Sequence, residues 1–199
     1  MKEFDEHVGR ALLQAMHGMS KAIAFRDAYT ANHQAHVSAL ARSIGQQIGL
    51  SSHELEGIRV AGNLHDIGKI GIPGSILNKT SALSDEEYEL IKTHARIGAQ
   101  ILDDIEFPWP VRDMVFQHHE RIDGSGYPQG LRGDAIALGA QILGIADTLN
   151  AIVSHRPYCP ARSLESALAI ISDARGVLFD DRLVVACIEV APRFRDQRP

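Results

Sequence analysis

Apolar residues recur at helical spacing along most of the chain, and no run of strict apolar–polar alternation marks a strand. Within residues 30–48, Val37, Leu40, Ala41, Ile44 and Ile48 fall at i, i+3, i+4, i+7 and i+11, which gives one buried face. Ser51 and Glu54 have capping-box spacing and open a further predicted helix that runs to about Asp66. Ser84 and Glu87 repeat that signature ahead of Leu90, Ile91, His94, Ile97 and Ile101. Pro110 suits a first helical residue, with Val111, Met114, Val115 and His118 following on one face. Residues 4–27 are helix-compatible despite Gly9 and Gly18. Helices are also expected over residues 138–154, 163–174 and 180–191. Residues 121–139 differ in texture. They hold Gly124, Gly126, Gly130, Gly133 and Gly139 together with Pro128, while Tyr127, Leu131 and Ile136 favour an ordered, functional loop. The expected fold class is all-α: a single-domain helical bundle over residues 1–199, with an N-terminal helix at 1–27, a core at 28–199 and a long Gly-rich loop.

Composition narrows the function. The 199 residues suffice for one substantial core, and 45% hydrophobic with 23% charged residues are ordinary globular values. A net charge of −5 makes duplex DNA a poor partner, because phosphate contacts need clustered Lys and Arg. The longest nearly apolar run, residues 135–146, is too short to span a bilayer. The opening MKEFDEHVGR has no apolar signal region, so the cytoplasm is the expected location and no membrane partner is expected. Cys159 and Cys187 are the only cysteines, which excludes a disulfide scaffold and a thiolate-rich metal site. Ten histidines against five lysines is the feature that needs explaining.

The histidines cluster with carboxylates at helix ends and on apolar faces. His65-Asp66 closes one predicted helix and His118-His119 another; His33 and His94 lie within helices, and Asp147 interrupts Ile142, Ile145, Ala146 and Leu149. Adjacent helical residues point about 100° apart, so such a pair can address two sites side by side, one ligand to each. Any one of these groups alone reads as a surface or satisfied core residue. Together, five histidines and two aspartates on otherwise apolar faces would bury uncompensated polar groups unless paired or bound to metal. Imidazole and carboxylate without thiolate suit Fe, Mn or Ni, with Zn compatible.

HDIGKIGIP (residues 65–73) and HHERIDGSGYPQGL (118–131) resemble the two signature segments of the HD-GYP family, metal-dependent phosphodiesterases of the HD superfamily that act on cyclic di-GMP. RDAYTANH (26–33), LSDEEYELIKTHARIGAQIL (83–102), IADTLNAI (145–152) and SHRPY (154–158) extend the resemblance in order and spacing. It implies two divalent ions, Fe or Mn ahead of Ni or Zn, on His33, His65, Asp66, His94, His118, His119 and Asp147. One ion would take His33, His65 and Asp147, the other His94, His118 and His119, with Asp66 bridging. Lys69 would face the metals and the scissile phosphate, Tyr127 would border the site on its loop, and Arg156 would bind a phosphate oxygen. The implied reaction is hydrolysis of cyclic di-GMP, or a related cyclic dinucleotide such as cyclic GMP-AMP, to linear pGpG by a hydroxide between the metals, with GMP from a second cut. A binding module that keeps metals but not turnover, and a nucleotide phosphomonoesterase, are the competing readings. A homodimer through the first helix and a signalling-protein partner are compatible with either.

The sequence departs from the family pattern at four places. Tyr29 stands where some relatives have a glutamate for a third metal, which favours two metals and pGpG over GMP. Cys159 replaces a basic residue after the phosphate-binding arginine, and Gly74 and Asn150 each replace aspartate. The last two bear on local turns or on bonds to ligands rather than on ligation. His7, His17, His36 and His53 read as surface residues, His155 as a neighbour of Arg156, Trp109 as a helix-entry staple, and Arg193, Arg195 and Arg198 as a solvated tail.

Overall fold

In the computed structural model the described residues are 14–15, 18–19, 30–154 and 161–197. Most of the predicted helix at 4–27, together with Tyr29, His155, Arg156 and Cys159, lies outside them. The elements in chain order are α1 (Thr30–Gln47), α2 (Ser52–Leu64), a 3₁₀ turn (Ile67–Gly71), the short α3 (Gly74–Leu77), α4 (Asp85–Leu102), α5 (Val111–Gln117), a second 3₁₀ turn (Gly133–Ala135), α6 (Leu138–Val153), α7 (Leu164–Asp173), α8 (Asp181–Val190) and a closing 3₁₀ segment (Ala191–Gln197). Among the described residues there is no strand; isolated bridges join Asp123 to Arg132 and Arg175 to Phe179. No described helix is long and apolar enough to cross a membrane.

Both predicted capping boxes form. Ser51 and Ser84 each accept from the amide three residues on, while Glu54 and Glu87 accept from the amides of Ser51 and Ser84. Two orphan donors are thereby satisfied at each helix start. Pro110 is the residue before the first turn of α5 rather than its first residue. The α2 helix stops at Leu64 instead of continuing to Asp66, because the chain tightens into the 3₁₀ turn that carries Ile67 and Gly68 under α4. Gly68 makes that possible: a Cβ there would sit 1.9 Å from the His94 carbonyl oxygen.

One contiguous core joins Val37, Ala41 and Ile44 of α1 and Ile58, Ala61 and Leu64 of α2 to α5, α6 and α8. From the last three come Val111 and Val115, then Ile142, Leu143, Ile145 and Leu149, then Leu183, Val184 and Cys187. The α6 helix is the central one, with nine of its residues buried. Trp109 packs against this core and lies where a side chain on Gly57 would be. The ends of α2 and α5, the first turns of α1 and the middle of α4 and α6 meet on one side of the core, and there the polar residues collect.

Candidate metal centre

Seven side chains from five elements converge. His33 comes from α1, His65 and Asp66 from the end of α2, His94 from α4, His118 and His119 from the end of α5, and Asp147 from α6. His65, Asp66, His94 and His118 are at most 3% exposed and Asp147 9%. Two groups of donors stand close enough to share an ion each: His33, His65 and Asp66, and His94, His118 and His119. Asp147 meets the first group through His33, with Oδ1 3.0 Å from Nε2. The His118–His119 pair therefore falls wholly in one group rather than splitting between the two. His118 and His119 fall together because α5 ends at Gln117 and the chain turns there, leaving their rings 4.0 Å apart.

Asp66 lies between the groups. Its Oδ2 is 3.5 Å from His65 Nε2 and 4.0 Å from His33 Nε2, while Oδ1 is 3.8 Å from His94 Nε2. Burial alone would raise its pKa; the Lys69 ammonium, 2.8 Å from Oδ2, leads the influences that overcome this and hold the carboxyl well below the usual range. Asp147 is likewise buried yet held low, first by the hydrogen bond from His33. Burial pulls His118 down to about 3, and lowers His94 and His119 as well, so these imidazoles are neutral at physiological pH.

The donor set itself tests whether a cation fits. His65, His94 and His118 direct Nδ1 at the carbonyls of Gly62, Ile91 and Val115, at 2.7, 2.8 and 2.7 Å. A carbonyl only accepts, so Nδ1 carries the proton in each ring and Nε2 is a bare lone pair. The Nε2 of His65 is buried with no hydrogen-bond partner, and those of His94 and His118 face one another at 3.4 Å. Buried acceptors turned on each other are costly, and a divalent cation satisfies them. The residues fit such ions.

A second set of side chains holds this arrangement, and of these the sequence singled out Tyr127 and Asn150 but not Glu120, Arg121 or Thr148. Glu120, 3% exposed, accepts from the amides of Gln129 at 2.7 Å and Leu131 at 2.9 Å, tying the loop to the end of α5. Gly126 lets that loop run against the backbone, since a Cβ would lie 2.4 Å from Glu120 Cα. The loop passes through a cis Tyr127–Pro128 bond and stacks the Tyr127 ring on His119, centroids 4.6 Å apart. Arg121 donates to the carbonyls of His118 and Glu120 and to Thr148 Oγ1, with its guanidinium over the Phe179 ring. Asn150 lies 2.6 Å from His33 Nδ1. Glu120 and Arg121 directly follow the histidine pair, so a search for charged residues next to ligands at a helix end would have flagged them. His36 is half-buried rather than on the surface, and His53 is exposed against Trp109.

The described residues form an all-helical fold around a buried His/Asp cluster that could hold metal, and comparison with known proteins gives its family. Residues 17–183 match the HD domain family. The chain belongs to that family, and its HD and GYP segments are those of the HD-GYP group. It is 41% identical over 172 residues to the cyclic di-GMP phosphodiesterase response regulator RpfG of Xanthomonas campestris pv. campestris, covering 85% of this chain and 46% of that protein. It is 35% identical over 197 residues to a cyclic di-GMP phosphodiesterase of Thermotoga maritima, covering 98% of this chain and 54% of the relative. The chain thus spans about half the length of these curated relatives. Among solved structures, a cyclic GMP-AMP specific phosphodiesterase of V. cholerae shares the fold with a TM-score of 0.70 at 24% identity, covering 92% of this chain and 50% of that one.

Proposed function

We propose that this chain is a metal-dependent phosphodiesterase that hydrolyses cyclic di-GMP to linear pGpG. The observation that carries the reading is the placement of buried Asp66, with one oxygen toward His33 and His65 and the other toward His94. The relatives named cyclic di-GMP phosphodiesterases, which match 85% and 98% of the chain, supply the substrate class. His33, His65 and Asp147 would hold one ion and His94, His118 and His119 the other, with Asp66 shared. Nitrogen and oxygen donors without thiolate suit Fe or Mn, with Ni and Zn compatible. Bound there, two divalent ions would supply a water of lowered pKa and neutralise charge building on phosphorus.

The chain's own residues hold and orient the substrate. Lys69 is partly exposed and anchored on Asp66 at 2.8 Å, so its ammonium faces the charge of the scissile phosphate without wandering. Tyr127, stacked on His119, walls the site on the loop side. Arg156, which the SHRPY segment makes the counterpart of the family's phosphate-binding arginine, would grip a phosphate oxygen through two N–H groups. In-line attack of a water oxygen on phosphorus would form the new P–O bond and break the bond to a ribose 3′-oxygen, which takes up a proton and leaves as the 3′-hydroxyl of a 5′-phosphorylated linear dinucleotide. Tyr29, in place of a third-metal glutamate, favours two ions and pGpG as the main product.

Chromatography of products from Mn(II)- or Fe(II)-loaded protein tests this. Cyclic di-GMP should disappear and pGpG appear, and Asp66→Ala should lose both metal and turnover. Cyclic GMP-AMP belongs in the same assay, because a relative 35% identical over 153 residues is named a 3′3′-cGAMP-specific phosphodiesterase. Nucleotide binding with no linear product from any of them would overturn the enzyme reading in favour of a binding module.

A further inference from the structure

The histidines of the centre are not all held alike. His65, His94 and His118 each give Nδ1 to a backbone carbonyl of their own helix, three residues earlier. Those bonds fix one tautomer, because a carbonyl has no proton to offer. His33 differs. Its Nδ1 meets the side-chain amide of Asn150, 117 residues away in the chain, at 2.6 Å. An amide is ambivalent: its nitrogen donates, its oxygen accepts, and a half-turn exchanges them in the same volume.

The two orientations have opposite consequences for His33. With Nδ2 facing the ring, Nδ1 accepts and Nε2 carries the proton, which it donates to Asp147 Oδ1 at 3.0 Å. His33 and Asp147 then satisfy each other and neither offers a free pair along that line. With Oδ1 facing the ring, Nδ1 donates and Nε2 turns a lone pair toward Asp66 and Asp147. Aspartate at this position could only accept, and would hold the ligating tautomer permanently.

We infer that Asn150 is a positioning residue that sets the tautomer of His33 and thereby makes the His33–His65 half of the centre the weaker, more readily exchanged of its two ion sites. This rests on the metal-centre reading above. Loading that half requires the Asn150 amide to turn and the His33–Asp147 hydrogen bond to open, whereas the His94–His118–His119 half needs neither.

Manganese binding to chelator-stripped protein, followed by calorimetry with a competing chelator, tests the inference. Wild-type protein should show two affinities. Asn150→Asp should tighten the weaker about tenfold and leave the stronger unchanged. Asn150→Leu, which removes the bond at similar size, should weaken the same site by about 10- to 100-fold, the usual effect of losing a ligand's outer hydrogen bond. A long-range proton–nitrogen NMR spectrum of the metal-free protein adds a readout that a packing role would not move: His33 protonated at Nε2 in wild type and at Nδ1 in Asn150→Asp. The spectrum and the aspartate variant keep the test decisive if Asn150→Leu does not fold. Two ions bound with affinities unmoved by Asn150→Asp, or both affinities moved alike, would overturn the inference. So would an Nδ1-protonated His33 in the metal-free wild type. A wild-type chain that binds no divalent ion would overturn the metal centre itself, and this inference with it.

Discussion

Replacing Gly68 with alanine separates the two halves of the site by a calculable amount. The added methyl carbon would lie 1.9 Å from the His94 carbonyl oxygen, 2.4 Å from the Gly98 amide nitrogen and 2.8 Å from the His94 carbonyl carbon. Ordinary contact begins near 3.4 Å, so the 3₁₀ turn and α4 must part by about 1.5 Å. All three atoms belong to the backbone of α4, and no side-chain rotation relieves them. Overpacking of this kind costs about 1–3 kcal/mol, and a backbone clash belongs at the upper end. At about 2–4 °C per kcal/mol for a chain of this size, Tm should fall by about 5–10 °C. The site suffers separately, because Asp66 and His65 move with the turn while His94 stays with α4. Asp66 Oδ1 is 3.8 Å from His94 Nε2, and a further ångström removes it from shared reach. A misplacement of about 1 Å is enough to cost about 10²-fold in rate. Denaturant unfolding of the metal-stripped protein should show a lower midpoint with an unchanged slope, and the folded fraction should bind fewer than two manganese ions per chain. Gly176→Ala provides the control: φ is +68° there and no atom lies within 4 Å, so it costs about 1 kcal/mol of backbone strain and leaves metal stoichiometry alone. A Gly68→Ala protein with the wild-type midpoint and two bound ions would refute the reasoning.

Glu120→Ala should destabilise by about 3 kcal/mol, because the amides of Gln129 and Leu131 lose a buried carboxylate acceptor. Hydrogen exchange should accelerate at those two amides, less so in Glu120→Gln, and unchanged protection would contradict the clamp. Cys187 is buried, and burial pushes its thiol up from 9.0 to about 12. The folded state therefore keeps a proton that the unfolded state has released, so this contribution is intact below pH 9 and lost between 9 and about 12. In a Cys159→Ser background, Cys187 should resist thiol reagents until the protein is unfolded. Unfolding free energy should fall with pH more steeply than in Cys187→Ala, by up to about 1.4 kcal/mol per unit; equal slopes would sink the argument.

What the sequence reveals about this fold divides by the range of the interactions that decide it. The capping boxes at Ser51–Glu54 and Ser84–Glu87 depend on residues three apart, and they form as the spacing predicts. The start of α6 at Leu138 and its end within a residue of Ser154 follow from apolar periodicity, again a local signal. The end of α2 does not. It stops at Leu64 because Gly68 packs on His94, a contact across 26 positions that no local pattern encodes. For the site, the roster of converging imidazoles and carboxylates was readable because polar residues on apolar faces are conspicuous. Their grouping came from the family resemblance, which set His94 with His118 and His119, and not from helical phase, which suggested that His118 and His119 would diverge where the end of α5 brings them together. The Asn150–His33 bond joins α6 to α1, so Asn150 showed only as a departure from the family pattern, without its consequence.

The placement of the ligand pairs at helix ends follows from the same physics that ends the helices. The last turn of a helix leaves carbonyls without intrahelical partners. His65 follows the final residue of α2 and His118 the final residue of α5, and each ring turns back to a carbonyl three residues earlier, Gly62 and Val115. One hydrogen bond then does two things: it satisfies a carbonyl of the last turn and fixes Nδ1 as the protonated nitrogen, leaving Nε2 to ligate. Helix C-termini also carry partial negative charge, worth about 0.3–1 kcal/mol toward a nearby cation. Two such ends converge here beside Asp66 and Asp147, while the remaining surface bears only a modest excess of acid. A chain of net charge −5 can therefore concentrate cation affinity in one buried place, which under the proposed function would let bound cations receive an anionic dinucleotide that the overall charge would repel.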